Sequence, residues 1–550
     1  MLLSRLEGLL EKCSSLPTPD RAPQEASPPA LTGPACGGSD PAAAGFAAFL
    51  ARLYGLSSLP ERVSRLRRQC RRFGELYGDG PVSMLRAPAR INVLGEHVDY
   101  VSYLPALSLS FGSREHDMVF MYRVSGRERV RGASLLDGAT DFEFDLSECQ
   151  PPAEPADPAR EWERYVFSRP SPVPHWASYV RGAGHFARHE YGQRISRGLD
   201  FLVDSNIPAA GGASSSSALT VLAGAALRRA NQIACSPAAL ARESAQAEWF
   251  VGTRGGAMDH TTICLSRHDH ALAISYALDE ARLVPLRAPG FRWLTFFSHA
   301  ASKGREVMLE YNERAAVSRI VIPALLQDWQ WSRPDLHQIW RSSLEEAKAG
   351  TQGALENLDW LLERLPEMMT LDEIARRLPA AFEKCRMAFS ALVAERIGCD
   401  LKIRARALHH LGEVRRVAAA LELLTTAHPE GEGEEGENEA TMKRLGLLLD
   451  EAHASLRDLY DVCTPEVNGL IETVKSAPGV YGARVMGGGF GGNVLALVRA
   501  CAVEAAAGHV QREFYGPRGR DATLERAVTV STTGDGLSEL DLDNDAGSAG

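Results

Sequence analysis

The chain lacks several features that would place it quickly. No apolar run in its 550 residues approaches the ~18 needed to span a bilayer as a helix, so no membrane span is expected. It has no excess of basic charge: 60 Lys and Arg face 70 Asp and Glu, a formal net charge of -10, which argues against a nucleic-acid partner. Its ten cysteines are scattered from Cys13 to Cys501 and form no C-x-x-C pair, which speaks against a disulfide scaffold or zinc module and for a reduced, cytoplasmic protein. The dipeptide Gly-Lys occurs nowhere, so a P-loop is excluded. What remains is a composition of 45% hydrophobic and 24% charged residues, ordinary for a folded globular protein.

The chain opens on MLLSRLEGLLEK, where Leu2, Leu3, Leu6, Leu9 and Leu10 suit one face of a short docking helix. Residues 14–45 are rich in Pro, Ala, Ser and Gly and read as a linker. Helical pattern follows from Phe46 to Tyr77, with a breaker at Leu59-Pro60, and residues 84–94 have strand character. Residues 150–173 look like a second linker. PEGEGEEGENEA, residues 429–440, carries six acids and no base, so a disordered insertion between two helices is expected. The tail from Leu540 is acidic and rich in small residues. Glu539, Asp541, Asp543 and Asp545 with the six insertion acids account for the whole formal charge, which leaves the rest of the chain balanced.

Three constellations carry chemistry. RAPARINVLGEHVDY, residues 86–100, ends a strand-like run at Gly95 and crowds Glu96, His97 and Asp99 beyond it, with Arg90 upstream. Such groups can grip hydroxyls or simply solvate a turn. SNIPAAGGASSSSALTVLAGAAL, residues 205–227, leads from glycines through four serines into a helical run. The helix start offers free amides and a positive dipole end to an anion, or merely a serine cap. GARVMGGGFGGNVLALV, residues 482–498, spells G-x-G-x-x-G at Gly487, Gly489 and Gly492. A dinucleotide fingerprint opens a helix after its strand. Here NVLALV reads as a second strand, so the glycines form a turn between strands, and an oxidoreductase reading fails. His260, Cys264, His268 and His270 could suggest a metal, but SRHDHALAISY reads as a turn entering a strand, which breaks any helical ligand face.

Taken in order, these segments resemble the three signatures of the GHMP small-molecule kinases, and within them the galactokinase branch. ARINVLGEHVDY is similar to GRxNLIGEHxDY, PAAGGASSSSAL to PxGAGLSSSAAL, and the third segment to the family's Gly-rich signature. AEWFVGTRGGAMDH resembles AExxFxGxxCGIMDQ, EYNER a sugar-contacting Tyr segment, and EAHASLRDLYDVCTPEVNGLI the motif SHxSLRDxYEVSxPELDxLV. The resemblance covers roughly residues 61–530.

It implies a two-domain α+β fold: a ribosomal-protein-S5-like N-terminal domain over 61–290 and a ferredoxin-like C-terminal domain over 291–530. A 1–60 extension would precede them and an acidic 531–550 tail follow. It also implies transfer of a phosphoryl group from ATP, with Mg²⁺, to the anomeric hydroxyl of galactose or a closely related sugar. Asp259 would serve as the base and Arg90 would stabilise the transferring charge. Glu96, His97, Asp99, Gly256 and Tyr311 would contact the sugar. Gly211, Gly212, Ser214, Ser215 and Ser216 would cradle the nucleotide phosphates, and Ser216 with Glu248 would hold the metal. The implied partners are a small sugar and ATP, with no nucleic acid and no membrane.

Several positions depart from the pattern. Ala89 replaces the Gly before the signature Arg, and only Val101, Ser102 and Tyr103 separate Tyr100 from Leu104-Pro105. His260 replaces the Gln of MDQ, and Glu248 lies one residue closer to Asp259 than usual. The shortened loop leaves N-acetylgalactosamine and arabinose open as sugars. A catalytically weak sugar- and ATP-binding regulator is the alternative of a different class.

Overall fold

A computed structural model describes residues 2–14, 41–136, 138–149, 158–167, 175–208, 212–252, 254–286, 290–300, 304–350, 353–426, 435–519 and 528–540. Two sheets organise it. The first runs Ser538–Glu539, Ser83–Leu94, Leu107–Val124, Leu199–Ser205, Arg129–Ser134 and Phe142–Asp145. Leu107–Val124 has 18 residues, long enough to change partners. Its second half pairs with Leu199–Ser205 and its first with His270–Ser275, which pairs in turn with Glu280–Pro285.

Both faces of this sheet are covered, as the two-residue alternation of strand side chains allows. Phe120, Phe201 and Val203 point to the helices Ala177–Tyr191 and Ser215–Ala230, where Val180, Val221 and Leu222 meet them. Val119, Met121 and Leu202 point the other way, onto Leu6, Leu50, Leu66 and Phe73 of the helices Leu3–Ser14, Pro41–Tyr54 and Leu59–Tyr77. The N-terminal extension therefore shares one face of the core with the helix Leu59–Tyr77. Its first helix docks as its leucines foretell: Leu3, Leu6, Leu9 and Leu10 are buried, and Leu2 stays exposed. Arg65 pins the arrangement, with Nη1 2.5 Å from Asp117 Oδ1 and Nε 2.9 Å from Asp204 Oδ2.

The second sheet runs Val480–Met486, Asn493–Arg499, Phe291–Phe297 and Val528–Ser531, all antiparallel. Val494, Ala496 and Val498 face the helices Pro465–Lys475 and Val503–Val510. Leu495 and Leu497 face the helices Ile403–Thr426 and Glu435–Asp458, and share that core with Ile91, Val93 and Phe111 of the first sheet. The two sheets thus meet through one apolar layer. The G-x-G-x-x-G run is the turn between Val480–Met486 and Asn493–Arg499, as expected.

Four elements differ from the sequence reading. The stretch 150–173 contains a helix, Pro158–Phe167, whose Trp162 and Val166 pack against Phe186 and Trp249. Prolines on both sides hide a helix-spaced apolar pair in EWERYVF. The acidic stretch 429–440 is already helical from Glu435, with Glu439 paired to Lys443 and Arg499; its residues 429–434 lie outside the described residues. The C-terminal stretch taken as a tail returns to the first sheet, where Thr533–Gly534 pairs with Leu107–Val124 and Ser538–Glu539 with Ser83–Leu94. Leu540 is buried, and the acids beyond it lie outside the described residues. The helix break expected at Leu59-Pro60 falls earlier, at Gly55, and Pro60 sits in the first turn of Leu59–Tyr77, where a missing N–H costs nothing. The linker reading of 14–45 lies largely outside the described residues, and Pro41 already opens a helix.

Candidate active site

Ser83–Leu94 runs beneath the site. Its register against Leu107–Val124 breaks between Pro88 and Arg90, which locally re-aims the strand where Arg90 leaves it. The Arg90 amide donates to Ala213 O at 3.2 Å and its Nη1 to Gly212 O at 3.1 Å, so the strand holds the glycine–serine loop directly. Arg90 Nε donates to Asp259 Oδ1 at 2.7 Å. Asp259 lies in the first turn of Met258–Leu265, and its other oxygen accepts from the Ser214 hydroxyl. Burial raises the Asp259 carboxyl, but the Arg90 guanidinium, the Ser214 hydroxyl and nearby His260 outweigh it and hold the group below its ordinary value. Asp259 therefore stays ionised between a cation and a loop serine.

A cavity of about 230 Å³ opens beside this pair, lined by Arg90, Glu96, His97, Asp99, Asp259 and Tyr311 among others. That is smaller than the ~300–1,000 Å³ of typical drug-sized pockets and suits a monosaccharide. Gly256 makes the arrangement possible: a Cβ there would fall 2.3 Å from Asp99 O. The Met258 amide donates to Asp99 Oδ2 at 3.4 Å. Burial and then the Asp259 carboxylate raise the Asp99 carboxyl to about 6. His97 is buried, with Nδ1 3.0 Å from the Tyr100 hydroxyl and Nε2 unpartnered. Burial, with help from Arg314, lowers it to about 3, so the imidazole is neutral at physiological pH. The Tyr311 ring centroid lies 5.9 Å from that of His97. Glu96 is held differently. Its Oε2 accepts from Arg484 Nη1 and from the Gly487 amide, both at 3.0 Å, so it joins the wall to the second sheet.

The glycine–serine loop leads into Ser215–Ala230 through Ser214, which sits at φ 63° and places no side-chain bond on the helix amides. Those amides stay available to an anion. Gly212, at φ 73°, faces the third motif so closely that a Cβ would fall 2.8 Å from Met486 O. Gly211 lies outside the described residues. Ser215 and Ser216 open the helix half-buried, and Ser216 shares a side-chain hydrogen bond with Tyr179.

The expected pairing of Ser216 with Glu248 is not what the structure brings together. Ser217 Oγ donates to Glu248 Oε2 at 2.8 Å, and His260 Nε2 lies 2.7 Å from the same oxygen. On a helix Ser216 and Ser217 point about 100° apart, and only the latter faces Glu248. Ser217 stands where the family pattern has Ala, His260 where it has Gln, and Glu248 is the displaced residue. Three departures from the pattern thus meet on one cavity wall. Trp249 lines the same wall, its indole donating to Gly255 O at 3.0 Å. The fourth serine of the run and the shortened spacing were visible in the sequence; their convergence was not. The shortened 101–103 loop is not an open border either. Tyr103 is buried, its hydroxyl 2.6 Å from His410 Nδ1. The histidines read as a weak metal set separate as expected: His260 and Cys264 lie on a helix, and His270 opens a strand.

Three family models match parts of the chain. The GHMP kinases N terminal domain model matches residues 178–267, the GHMP kinases C terminal model 438–516, and the galactokinase galactose-binding signature 71–104. The chain is 29% identical to galactokinase of Bos taurus over 470 residues, spanning 84% of this chain and 95% of the relative. It is 27% identical to galactokinase of Homo sapiens over 464 residues, 83% and 94% of the two chains. Among solved structures it resembles Lactococcus lactis galactokinase complexed with galactose, with TM-score 0.59 at 21% identity, covering 85% of this chain and 98% of that one.

Proposed function

We propose that the chain, which matches GHMP kinase models and resembles galactokinase, transfers the γ-phosphoryl of ATP to the anomeric hydroxyl of galactose or a closely related sugar. One observation carries this reading: a single carboxylate, Asp259, is held at once by Arg90 and by the first serine of the helix-opening loop, on the wall of a sugar-sized cavity.

Phosphoryl transfer depends mainly on positioning and charge stabilisation. Glu96, His97, Asp99 and Tyr311 would orient the sugar, with the neutral His97 Nε2 free to bond a hydroxyl. Asp259 would accept the proton of the anomeric hydroxyl as its oxygen bonds to the γ-phosphorus and the bond to the departing ADP oxygen breaks. Arg90 keeps Asp259 ionised and aimed, and its charge offsets that building on the phosphoryl oxygens. The amides and hydroxyls at 212–217 would hold the nucleotide phosphates, with Gly211, Ser215 and Ser216 in the roles the resemblance implies. Mg²⁺ is a hard cation that takes one or two carboxylates along with phosphate oxygens. Glu248 with Ser217, already paired at 2.8 Å, fits that need better than Glu248 with Ser216. A bound Mg²⁺ would neutralise phosphate charge.

Among the described residues no helix is long and apolar enough to cross a membrane. We place the reaction in the cytoplasm on the cysteine pattern of the sequence, ten scattered residues with no C-x-x-C pair. The test is ADP release from ATP against galactose, N-acetylgalactosamine and arabinose. Release with at least one is expected. If all fail while ATP still binds, the regulator reading replaces this one; the retained Arg90–Asp259 pair favours the enzyme.

A further inference from the structure

The loop that presents Glu96 and His97 is strained. Gly95 has φ 86° and His97 φ 60°, two left-handed residues within three, and a Cβ at Gly95 would fall 2.5 Å from Leu107 O. A non-glycine residue such as His97 costs of order 1 kcal/mol there and keeps that backbone only where its surroundings over-determine it.

The surroundings come from the helix Ile403–Thr426, more than 300 residues downstream. Glu413 on that helix is fully buried. Its Oε2 accepts from the Gly95 amide at 2.7 Å and from the Glu96 amide at 3.1 Å. Its Oε1 accepts from Arg416 Nε and Nη2 at 2.8 and 2.6 Å, which balances the buried charge. One turn earlier, His409 Nε2 lies 3.2 Å from Glu96 O, while His409 Nδ1 lies 2.8 Å from Ser455 Oγ. The carbonyl can only accept, so Nε2 carries the proton and Nδ1 accepts from the serine. The helix therefore holds both amides and a carbonyl of a two-residue segment. A carboxylate taking two amides is a charge-assisted pair of bonds, stronger than neutral ones.

We propose that Glu413 is a positioning residue for sugar binding: it clamps the Gly95–Glu96 amides and thereby aims Glu96 and His97 into the cavity. This rests on reading that cavity as the sugar site. Glu413 does not line the cavity, and the serine loop that would hold the nucleotide is tied to Arg90 instead, so the effect should be selective.

Two readouts test it in Glu413→Gln. The first is amide hydrogen exchange without ligands. Gly95 and Glu96 should exchange at least tenfold faster than in the unaltered protein, with Leu85 to Ala87 of the same strand unchanged. The second is steady-state kinetics. The KM for the sugar should rise tenfold or more, while the KM for ATP stays within twofold. Unchanged protection at Gly95 and Glu96 would overturn the clamp, and so would parallel changes in both KM values or in neither. If Glu413→Gln does not fold, Arg416→Ala, which strips the counter-ion and leaves the carboxylate, should raise the sugar KM several-fold with the same selectivity; no such split would again overturn it. Should the unaltered protein phosphorylate no sugar, the functional reading fails and the exchange rates alone decide the clamp.

Discussion

At the scale of single residues, two carboxylates share the cavity in opposite electrostatic states. Asp259 is held ionised by Arg90 and Ser214, whereas Asp99 is pushed to about 6 by burial and by Asp259 itself. Such a split marks groups with different tasks. Asp259→Asn should lower turnover by ~10²-fold or more while sugar binding survives, as loss of a positioned base does. Sugar-induced thermal stabilisation alongside turnover checks it; near-normal turnover would remove Asp259 from its role. Asp99 gives a pH-dependent prediction. Its folded value lies above the unfolded one, so the folded chain holds that proton more tightly, and the stability gained is lost as pH rises through about 6. Unliganded Asp99→Asn should therefore melt higher than the unaltered protein at pH 7.5, with the gap narrowing as pH falls below about 6. Equal melting temperatures at pH 7.5 would show that the Asp99 carboxylate carries no such cost. Both residues stand in quoted motifs, and so were legible beforehand. Their mutual electrostatics were not, because a carboxylate's state depends on which cations and backbone folding brings beside it.

At the scale of elements, composition misled where flanking residues dominated a short helix. Pro158–Phe167 sits inside a proline-rich stretch, yet Trp162 is buried to 1% exposure and its indole donates to Gln246 O at 3.0 Å. Trp162→Ala should destabilise the fold by about 3–5 kcal/mol, the usual cost of emptying a buried tryptophan site. Urea unfolding checks it; a change below about 1 kcal/mol would return the segment to linker status. The opposite holds for the third glycine motif. Its short apolar flank NVLALV already reads as a second strand beyond a glycine turn, because such a run is a local signal. What no local signal carried is that Gly212 and Gly487 pack backbone to backbone: a Cβ on Gly487 would fall 3.0 Å from Gly212 Cα. That contact joins loops from opposite halves of the chain.

At the scale of the whole molecule, the site lies where the two sheets and the Ile403–Thr426 helix meet; His97 lines it, and His409, His410 and His453 are buried on the helices Ile403–Thr426 and Glu435–Asp458. Burial lowers His97 to about 3 and His453 to about 4, and takes His409 and His410 well below their ordinary value. Each stays neutral when folded but protonates when unfolded, so stability is present above about pH 6.5 and falls as pH drops below it. Each such group costs up to about 1.4 kcal/mol per pH unit. Asp99 and Glu313, both raised by burial, act in the other direction, but two groups against four do not reverse the trend. Urea unfolding at pH 7.5, 6.5 and 5.5 should show stability falling across the last interval; a flat profile would mean that these histidines protonate without unfolding.

The sequence by itself determined the two-lobed α+β plan, the order of the three motifs and the residue types able to grip hydroxyls and phosphates. The motifs and residue types follow from turn chemistry and spacing, which each segment carries within itself, and the two-lobed plan from the family resemblance that those motifs carry. Only the tertiary structure decided that the first helices cover one face of the central sheet, that the C-terminal stretch returns to that sheet, that Ser217 rather than Ser216 meets Glu248, and that Glu413 holds the Gly95 and Glu96 amides. Each of these is a contact between residues tens to hundreds of positions apart. Close packing and the pairing of buried charge set such contacts, and neither is written in any one segment.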